Sequence, residues 1–459
     1  LSFSPDEVRF LAARADDIAR VAASGEIALT KKSAISDRTA LSKLFGENAR
    51  AVMELLQARQ TLAPKLELPA GPGAVAAGAA APGAAASGAA SAAVLAGATD
   101  VAGAAGFAGN ASDWLADSDS AQQATPLAVS QVRAERIAAA GAALVHDVTC
   151  SIGTEAPAVI ATGMDWLGTD LDYSRLLMAR ANLAQVGAQA GAGVVKAAAG
   201  RAWVAQADAL APVTTPASSP GPRIRACSGT GSRPGRVIVA DPARRADGRR
   251  ITDPAKLIPP LPDLVDAHRG AAMAVKCAPG IDYSDWHGLV SVVSVGGGVK
   301  EACLYTPDLA EPGHTREAVV IRDEFTERGR DEGDGVDVDK PRSFIVEPDG
   351  AVIRAGLVQQ WAARHDLKML DPHIAFLTGD ALPPGYSGFP FIEAVPLKKL
   401  RPALQAHGAG SVEILVRGVD VDPDQLRSKL KLKGKRPMGV AIARIGDSAT
   451  AFICDARVR

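Results

Sequence analysis

Aromatic side chains make up only 4% of the 459 residues. That scarcity argues against a wide platform for stacking nucleic-acid bases. Cysteine is also sparse: Cys150, Cys227, Cys277, Cys303 and Cys454 are scattered, with no C-x-x-C pair. A disulfide framework is therefore not expected, and a reducing, cytoplasmic compartment fits. Neither sign of charge is in excess, since 50 basic and 51 acidic residues leave a formal net charge of -1. A nucleic-acid partner would have to be met by a local patch. The start, LSFSPDEVRFL, lacks the basic n-region of a signal peptide. The pyrophosphate fingerprint G-x-G-x-x-G and the Walker motif are both missing, which counts against NAD, FAD and P-loop chemistry. The seven histidines have no metal-ligand spacing. Asp420, Asp422 and Asp424 imitate a calcium loop, but Gln425 and Lys431 stand where glycine and glutamate are needed, so no metal is expected.

A strong apolar span is missing too. PAGPGAVAAGAAAPGAAASGAASAAVLAGA is uncharged, but Ala and Gly carry little transfer energy, and Pro72 and Pro82 interrupt it. It reads as an Ala/Gly-rich linker, residues 69–120, not as a membrane segment.

What is present is 47% hydrophobic residues in a chain long enough for two or three domains. Residues 1–68 read as a helical region. It opens on a capping box, Ser4-Pro5-Asp6-Glu7, and continues in a second helix over Asp37–Leu62. Thr125 and Pro126 are placed to start a helix reaching Ala140. From there strands and helices alternate through residues 121–310. Strands are expected at Ala143–Asp147, Asp165–Thr169, Ala202–Gln206, Arg236–Ala240 and Ala271–Lys276. Helices are expected at Glu155–Thr162, Ser174–Gln185 and Asp263–His268. Such alternation makes a mainly parallel sheet with helices on both faces. LVSVVSVGGGVKEACLYTP closes it with a hairpin, Leu289–Val295 and Val299–Tyr305. Residues 311–341 are charged and read as a linker. Residues 342–459 read as an α+β module, with helices at Gly356–His365, Leu397–His407 and Pro423–Leu430. Its expected strands are Ser411–Val416, Met438–Ile445 and Ala449–Cys454.

The chemistry concentrates at the strand ends. In VHDVTCSIGTEAPAVI, Asp147 ends a strand and Thr149-Cys150-Ser151-Ile152-Gly153 makes the turn, with Thr154 placed to cap the next helix. Small residues let a ligand approach the backbone, and a helix start favours an anionic group. Asp170 ends the second strand, Asp208 follows the third, and Asp241-Pro242 follows the fourth. Four carboxylates would thus line one rim of a parallel sheet, where ligands bind in open α/β folds. Lys276 and Glu301 follow strands near that rim and read as structural ion-pair partners before catalytic helpers. Arg244, Arg245, Arg249 and Arg250 could hold phosphates or simply form a solvated loop. RSKLKLKGKR carries six basic residues and no acid. It is either an RNA contact surface or a charged turn.

Taken together, DVTCSIGTE, GTDLDYSRLLMARANL, ADAL, VADPARR, AVKCAPG, GGGVKEACL and SVEILVRGVDVDPDQLRSKLKLKG resemble the class I S-adenosylmethionine-dependent methyltransferases. More narrowly, they resemble a group with a C-terminal THUMP-like domain, named after an RNA-binding module of tRNA-modifying enzymes. The resemblance covers residue 122 to the C-terminus. It implies a seven-stranded Rossmann-like sheet and S-adenosyl-L-methionine as cofactor. Asp147, Thr149, Cys150, Ser151 and Gly153 would hold the methionine moiety, Asp170 and Leu171 the ribose, and Asp208 and Ala209 the adenine. Asp241 and Pro242 would hold the acceptor. RNA, tRNA or rRNA, is the implied partner, contacted through the four arginines and through Lys431, Lys433 and Lys435. Two departures stand out. Ser151 replaces a usual glycine, and DPAR replaces a D/N-P-P-aromatic motif, removing the aromatic that stacks on a target base. A small-molecule methyltransferase and a non-catalytic RNA-binding protein are the rival readings.

Overall fold

The computed structural model describes residues 3–67, 111–190, 200–211, 213–214, 235–243, 245–246, 249–251 and 253–459. The chain divides into two compact units, Leu1–Leu289 with Lys300–Glu311, and Val290–Val299 with Pro312–Arg459.

The first unit begins with helices α1 (Pro5–Ala13), α2 (Ala15–Ala23), α3 (Ala34–Phe45) and α4 (Ala49–Leu66). The capping box forms as expected: Glu7 N–H donates to Ser4 Oγ at 3.2 Å, and Ser4 N–H donates to Glu7 Oε2 at 2.8 Å. The single helix expected over Asp37–Leu62 is instead two, because Gly46 takes a φ of +57° and ends α3. Residues 69–110 of the Ala/Gly-rich stretch lie outside the described residues. Its last part does not run as a linker: Trp114, Leu115, Ala116 and Asp117 are buried. Arg59 Nε donates to the Trp114 carbonyl at 2.9 Å, and the Asn182 amide bonds both backbone groups of Leu115. Helices α5 (Ser118–Gln123) and α6 (Leu127–Ala139) follow.

All seven expected strands form. They are β1 (Leu144–Asp147), β2 (Asp165–Asp170), β3 (Ala202–Gln206), β4 (Arg236–Ala240), β5 (Ala272–Cys277), β6 (Leu289–Val295) and β7 (Gly298–Tyr305). Helices α7 (Ala156–Ala161), α8 (Tyr173–Ala190) and α9 (Leu261–Ala267) are interleaved. Within the first unit the sheet order is β7-β5-β4-β1-β2-β3. Leu144 lies opposite both Asp165 and Arg236, Trp166 opposite Ala202, and Val237 opposite Ala272, all in parallel register. Only β7 is antiparallel, with Ala274 opposite Tyr305. β6 and β7 are arms of one hairpin, turned by Gly296 and Gly297 at positive φ. Because β1 to β5 all run the same way, their C-terminal ends share one rim.

The second unit holds β6 and continues it with β8 (Arg316–Ile321), parallel to β6, and β9 (Thr326–Arg330), antiparallel to β8. Both fall in the charged stretch read as a linker. Ala318 to Ile321 bury an apolar run, and the buried Glu317 faces Arg328 and Arg330 at 3.9 Å. Pairing across the strands thus absorbs the charge that made the stretch look unstructured. The remainder comprises β10 (Phe344–Val346), α10 (Gly350–Arg354), α11 (Val358–Arg364), β11 (Lys368–Asp371), β12 (Ile374–Gly379), β13 (Phe389–Pro396), α12 (Leu400–Ala406), β14 (Ala409–Arg417), α13 (Pro423–Leu430), β15 (Arg436–Ile445) and β16 (Ser448–Asp455). They build a sheet ordered β11-β12-β10-β13-β16-β15-β14. Among the described residues, no helix is long and apolar enough to cross a membrane.

Candidate active site

β1 delivers Asp147 to the rim, and the chain then reverses in a tight turn. Ser151 adopts the left-handed region at φ +49°, and Gly153 follows at +83°. The departure from glycine therefore leaves the turn's shape intact, at a backbone cost of about 1–2 kcal/mol. Hydrogen bonds offset it: Ser151 N–H donates to Asp170 Oδ2 at 2.9 Å, and Arg175 Nη1 donates to Ser151 Oγ at 3.0 Å. Cys150 N–H donates to the Thr169 carbonyl, and its thiol is buried. Gly168 forms the floor, where an added Cβ would lie 2.1 Å from the Trp166 ring and 2.8 Å from Cys150 Cβ.

The turn joins three strand ends. Thr149 N–H donates to Asp147 Oδ1 at 3.3 Å, while Thr149 Oγ1 accepts from Asp241 N–H at 2.6 Å. Asp170 accepts from Ser151 and, through Oδ1, from Asp172 N–H at 2.9 Å. Leu171 is exposed, and its carbonyl accepts from Gln206 Nε2. The turn thus carries two bonded sets, one joining Asp147, Thr149 and Asp241 and the other joining Ser151, Asp170 and Asp172. Asp208 stands at the same end of β3 but is exposed and caps its own turn, accepting from Leu210 N–H. The next residue, Ala209, is buried, and its carbonyl accepts from His268 Nε2 at 2.8 Å.

Beneath the rim lies a charged network that the sequence reading missed in large part. Lys276 Nζ donates to Asp241 Oδ2 at 2.9 Å, to Glu155 Oε1 at 3.0 Å and to Thr125 Oγ1. Arg133 holds Glu155 through two bonds of 3.2 Å and Glu301 through bonds of 2.6 and 3.3 Å. All of these ions except Asp241 are almost wholly buried. Burial alone would raise the Glu155 carboxyl, but Arg133 and Lys276 outweigh it and hold it down at about 2. Burial would likewise lower Lys276, yet Asp241 and Glu155 keep its ammonium well above the usual lysine range. Asp147 differs. Burial pushes its carboxyl up to about 7, with Lys276 pulling down and Glu155 and Asp241 pushing further up. Two helix-start expectations change accordingly. Thr125 accepts from Lys276, and Pro126, not Thr125, is the cap of α6. Thr154 is not the cap of α7; that position is Glu155, whose carboxylate serves the network instead.

The chain is 42% identical over 354 residues to an S-adenosylmethionine-dependent methyltransferase of Mycobacterium tuberculosis, found in two of its strains. The match covers 75% of this chain and 89% of the relative. The chain belongs to the S-adenosylmethionine-dependent methyltransferases. A crystal structure of a Porphyromonas gingivalis W83 protein assigned as a methyltransferase shares the fold, with a TM-score of 0.62 at 16% identity. That likeness covers 99% of this chain and 98% of the other. Residues 387–456 match the THUMP domain-like family, spanning β13 to β16.

The cofactor of this methyltransferase is S-adenosylmethionine, and the rim suits it. Two turn residues at positive φ reverse the chain tightly beside the rim, and carboxylates that can meet a cation and a diol end neighbouring strands. Of the arginines expected to meet RNA, Arg244 lies outside the described residues. Arg245 pairs with Arg250, and Ala246 with Arg249, in a two-residue antiparallel ladder. Lys431, Lys433 and Lys435 are exposed in the second unit. Lys431 ends α13 in the left-handed region, at φ +47°. Among the described residues, no group of three or more His, Cys, Asp or Glu could hold a metal ion. His146 is a core residue, bonded to Thr169 and Thr214.

Proposed function

We propose that this methyltransferase modifies RNA, a tRNA or rRNA, with Asp241 and Pro242 positioning the acceptor. The observation that carries the reading is the basic turn of the THUMP-like segment. Lys429, Lys431, Lys433 and Lys435 are exposed and pair with no acid among the described residues. Four uncompensated ammonium groups over seven residues suit a phosphate backbone.

The cofactor supplies an electrophilic methyl group on a sulfonium, transferred by in-line displacement. The protein's part is orientation and electrostatics. Asp147 and the turn to Gly153 would hold the methionine moiety, Asp170 with Leu171 the ribose, and Asp208 with Ala209 the adenine. Lys276 fixes one oxygen of Asp241, and Thr149 fixes its backbone. The Asp241 carboxylate and the Pro242 carbonyl then accept N–H bonds from an acceptor amine and aim its lone pair at the methyl. In the D-P-A-R run Ala243 stands for the second proline and Arg244 for the aromatic that would stack on a base, so base-stacking must come from elsewhere.

RNA binding tests this. Neutralising Lys431, Lys433 and Lys435 to Gln should weaken binding to tRNA or rRNA and reduce the slope of log K against log salt by about 2. Absence of salt-dependent RNA binding would move the substrate to the small-molecule class.

A further inference from the structure

The buried network beneath the rim has too few cations for its carboxylates. Arg133 is spent on Glu155 and Glu301. Lys276 is shared between Glu155, Asp241 and the Thr125 hydroxyl. Even with Asp241 left out of the count, Glu155, Glu301 and Asp147 are three acids against two bases. Asp147 is the one left over. It is 3% exposed, no arginine or lysine among the described residues lies within ion-pair distance, and one 3.3 Å bond from Thr149 N–H reaches its carboxyl. Each packed element presents its charges elsewhere. Asp241 at the end of β4 and Glu155 before α7 repel it, and Lys276 from β5 attracts it from a distance. The Cys150 thiol beside it is buried and uncharged. Asp170 ends β2 with both oxygens on backbone N–H groups, and Arg175 from α8 is turned to Ser151 and Asp172.

We propose that Asp147 carries a proton in the free protein and surrenders it when the cation of S-adenosylmethionine arrives, so that cofactor binding releases a proton. The balance is simple: the Asp147 O–H breaks, its proton goes to solvent, and the carboxylate pairs with positive charge brought by the ligand. The cofactor thereby completes a charge set that the protein leaves one cation short. A carboxyl held up near 7 in the free state is consistent with this. By linkage, cofactor affinity should then rise about tenfold per pH unit below pH 7 and level off above it. This inference rests on the reading that places the cofactor's methionine end at Asp147.

Isothermal calorimetry of S-adenosylmethionine binding in buffers of different ionisation enthalpy counts the protons. At pH 6, below the titration of the ligand's own ammonium, about one proton per cofactor should be released. Asp147→Asn should abolish that release and flatten the affinity between pH 5 and 6.5. Infrared difference spectra of the unmodified protein guard against a misfolded variant: a carboxylic-acid C=O band should vanish on binding at pH 6. Release that persists in Asp147→Asn, or binding with no proton release and no lost acid band, would overturn the inference. Binding lost in Asp170→Ala alongside absent proton release would leave the cofactor-site reading standing. No binding at all by the unmodified protein would remove both.

Discussion

The charges under the catalytic rim and those on the THUMP-like turn are the same chemical types put to opposite use. Arg133 and Lys276 are stripped of water and bonded to every acceptor within reach. Lys429, Lys431, Lys433 and Lys435 stay hydrated and bond to no acid. Buried pairs fix positions to fractions of an ångström and are weakly screened by salt. Exposed lysines create a field that attracts an anion without dictating its pose. One region therefore determines where atoms sit, and the other, on the proposed RNA reading, would set how readily a polyanion arrives.

That contrast can be broken from the buried side first. Arg133→Met would strand Glu155 and Glu301 without a partner, and should cost about 3–5 kcal/mol in urea denaturation. A loss below about 1 kcal/mol would mean the network is wetter and looser than described. Asp241→Asn should come next, lowering methyl-transfer turnover about 100-fold while leaving the KM for the cofactor near its original value. Steady-state rates with the proposed RNA substrate decide it, and full turnover would remove Asp241 from acceptor positioning. The smallest effect should come from Ser151→Gly. It relieves the left-handed strain but gives up the bond to Arg175, for a net gain of up to about 1 kcal/mol. A clear loss of stability in thermal denaturation would show that the hydroxyl contributes more than the strain costs.

Much of the first sheet was readable in advance because each strand is a short apolar run closed by a carboxylate or small residue. Leu144–Asp147 and Asp165–Asp170 are of this kind. The three glycines before Val299 marked the hairpin in the same way. The strands β10, β11 and β12 were not readable. They span three, four and six residues; β10 pairs with partners distant in the chain, and the β11–β12 hairpin carries a break in register that blurs its alternation. The buried network escaped for a related reason. Arg133 meets Glu155 across 22 positions and Glu301 across 168, and no local spacing announces such a meeting. Asp147, Asp170 and Asp241 could be picked out because strand ends share a rim whatever the loop lengths between them. The Ser151 hydroxyl and Arg175 could not, since neither residue type signals the other at a separation of 24.

Ser151 also bears on how relatives of this protein would be detected. A pattern that insists on glycine after Cys150 passes over the chain, even though the dihedral angle there is one glycine would adopt. A search keyed to backbone shape and to a guanidinium able to hold the hydroxyl would find it, and would collect homologues in which the same bend is braced by a side chain.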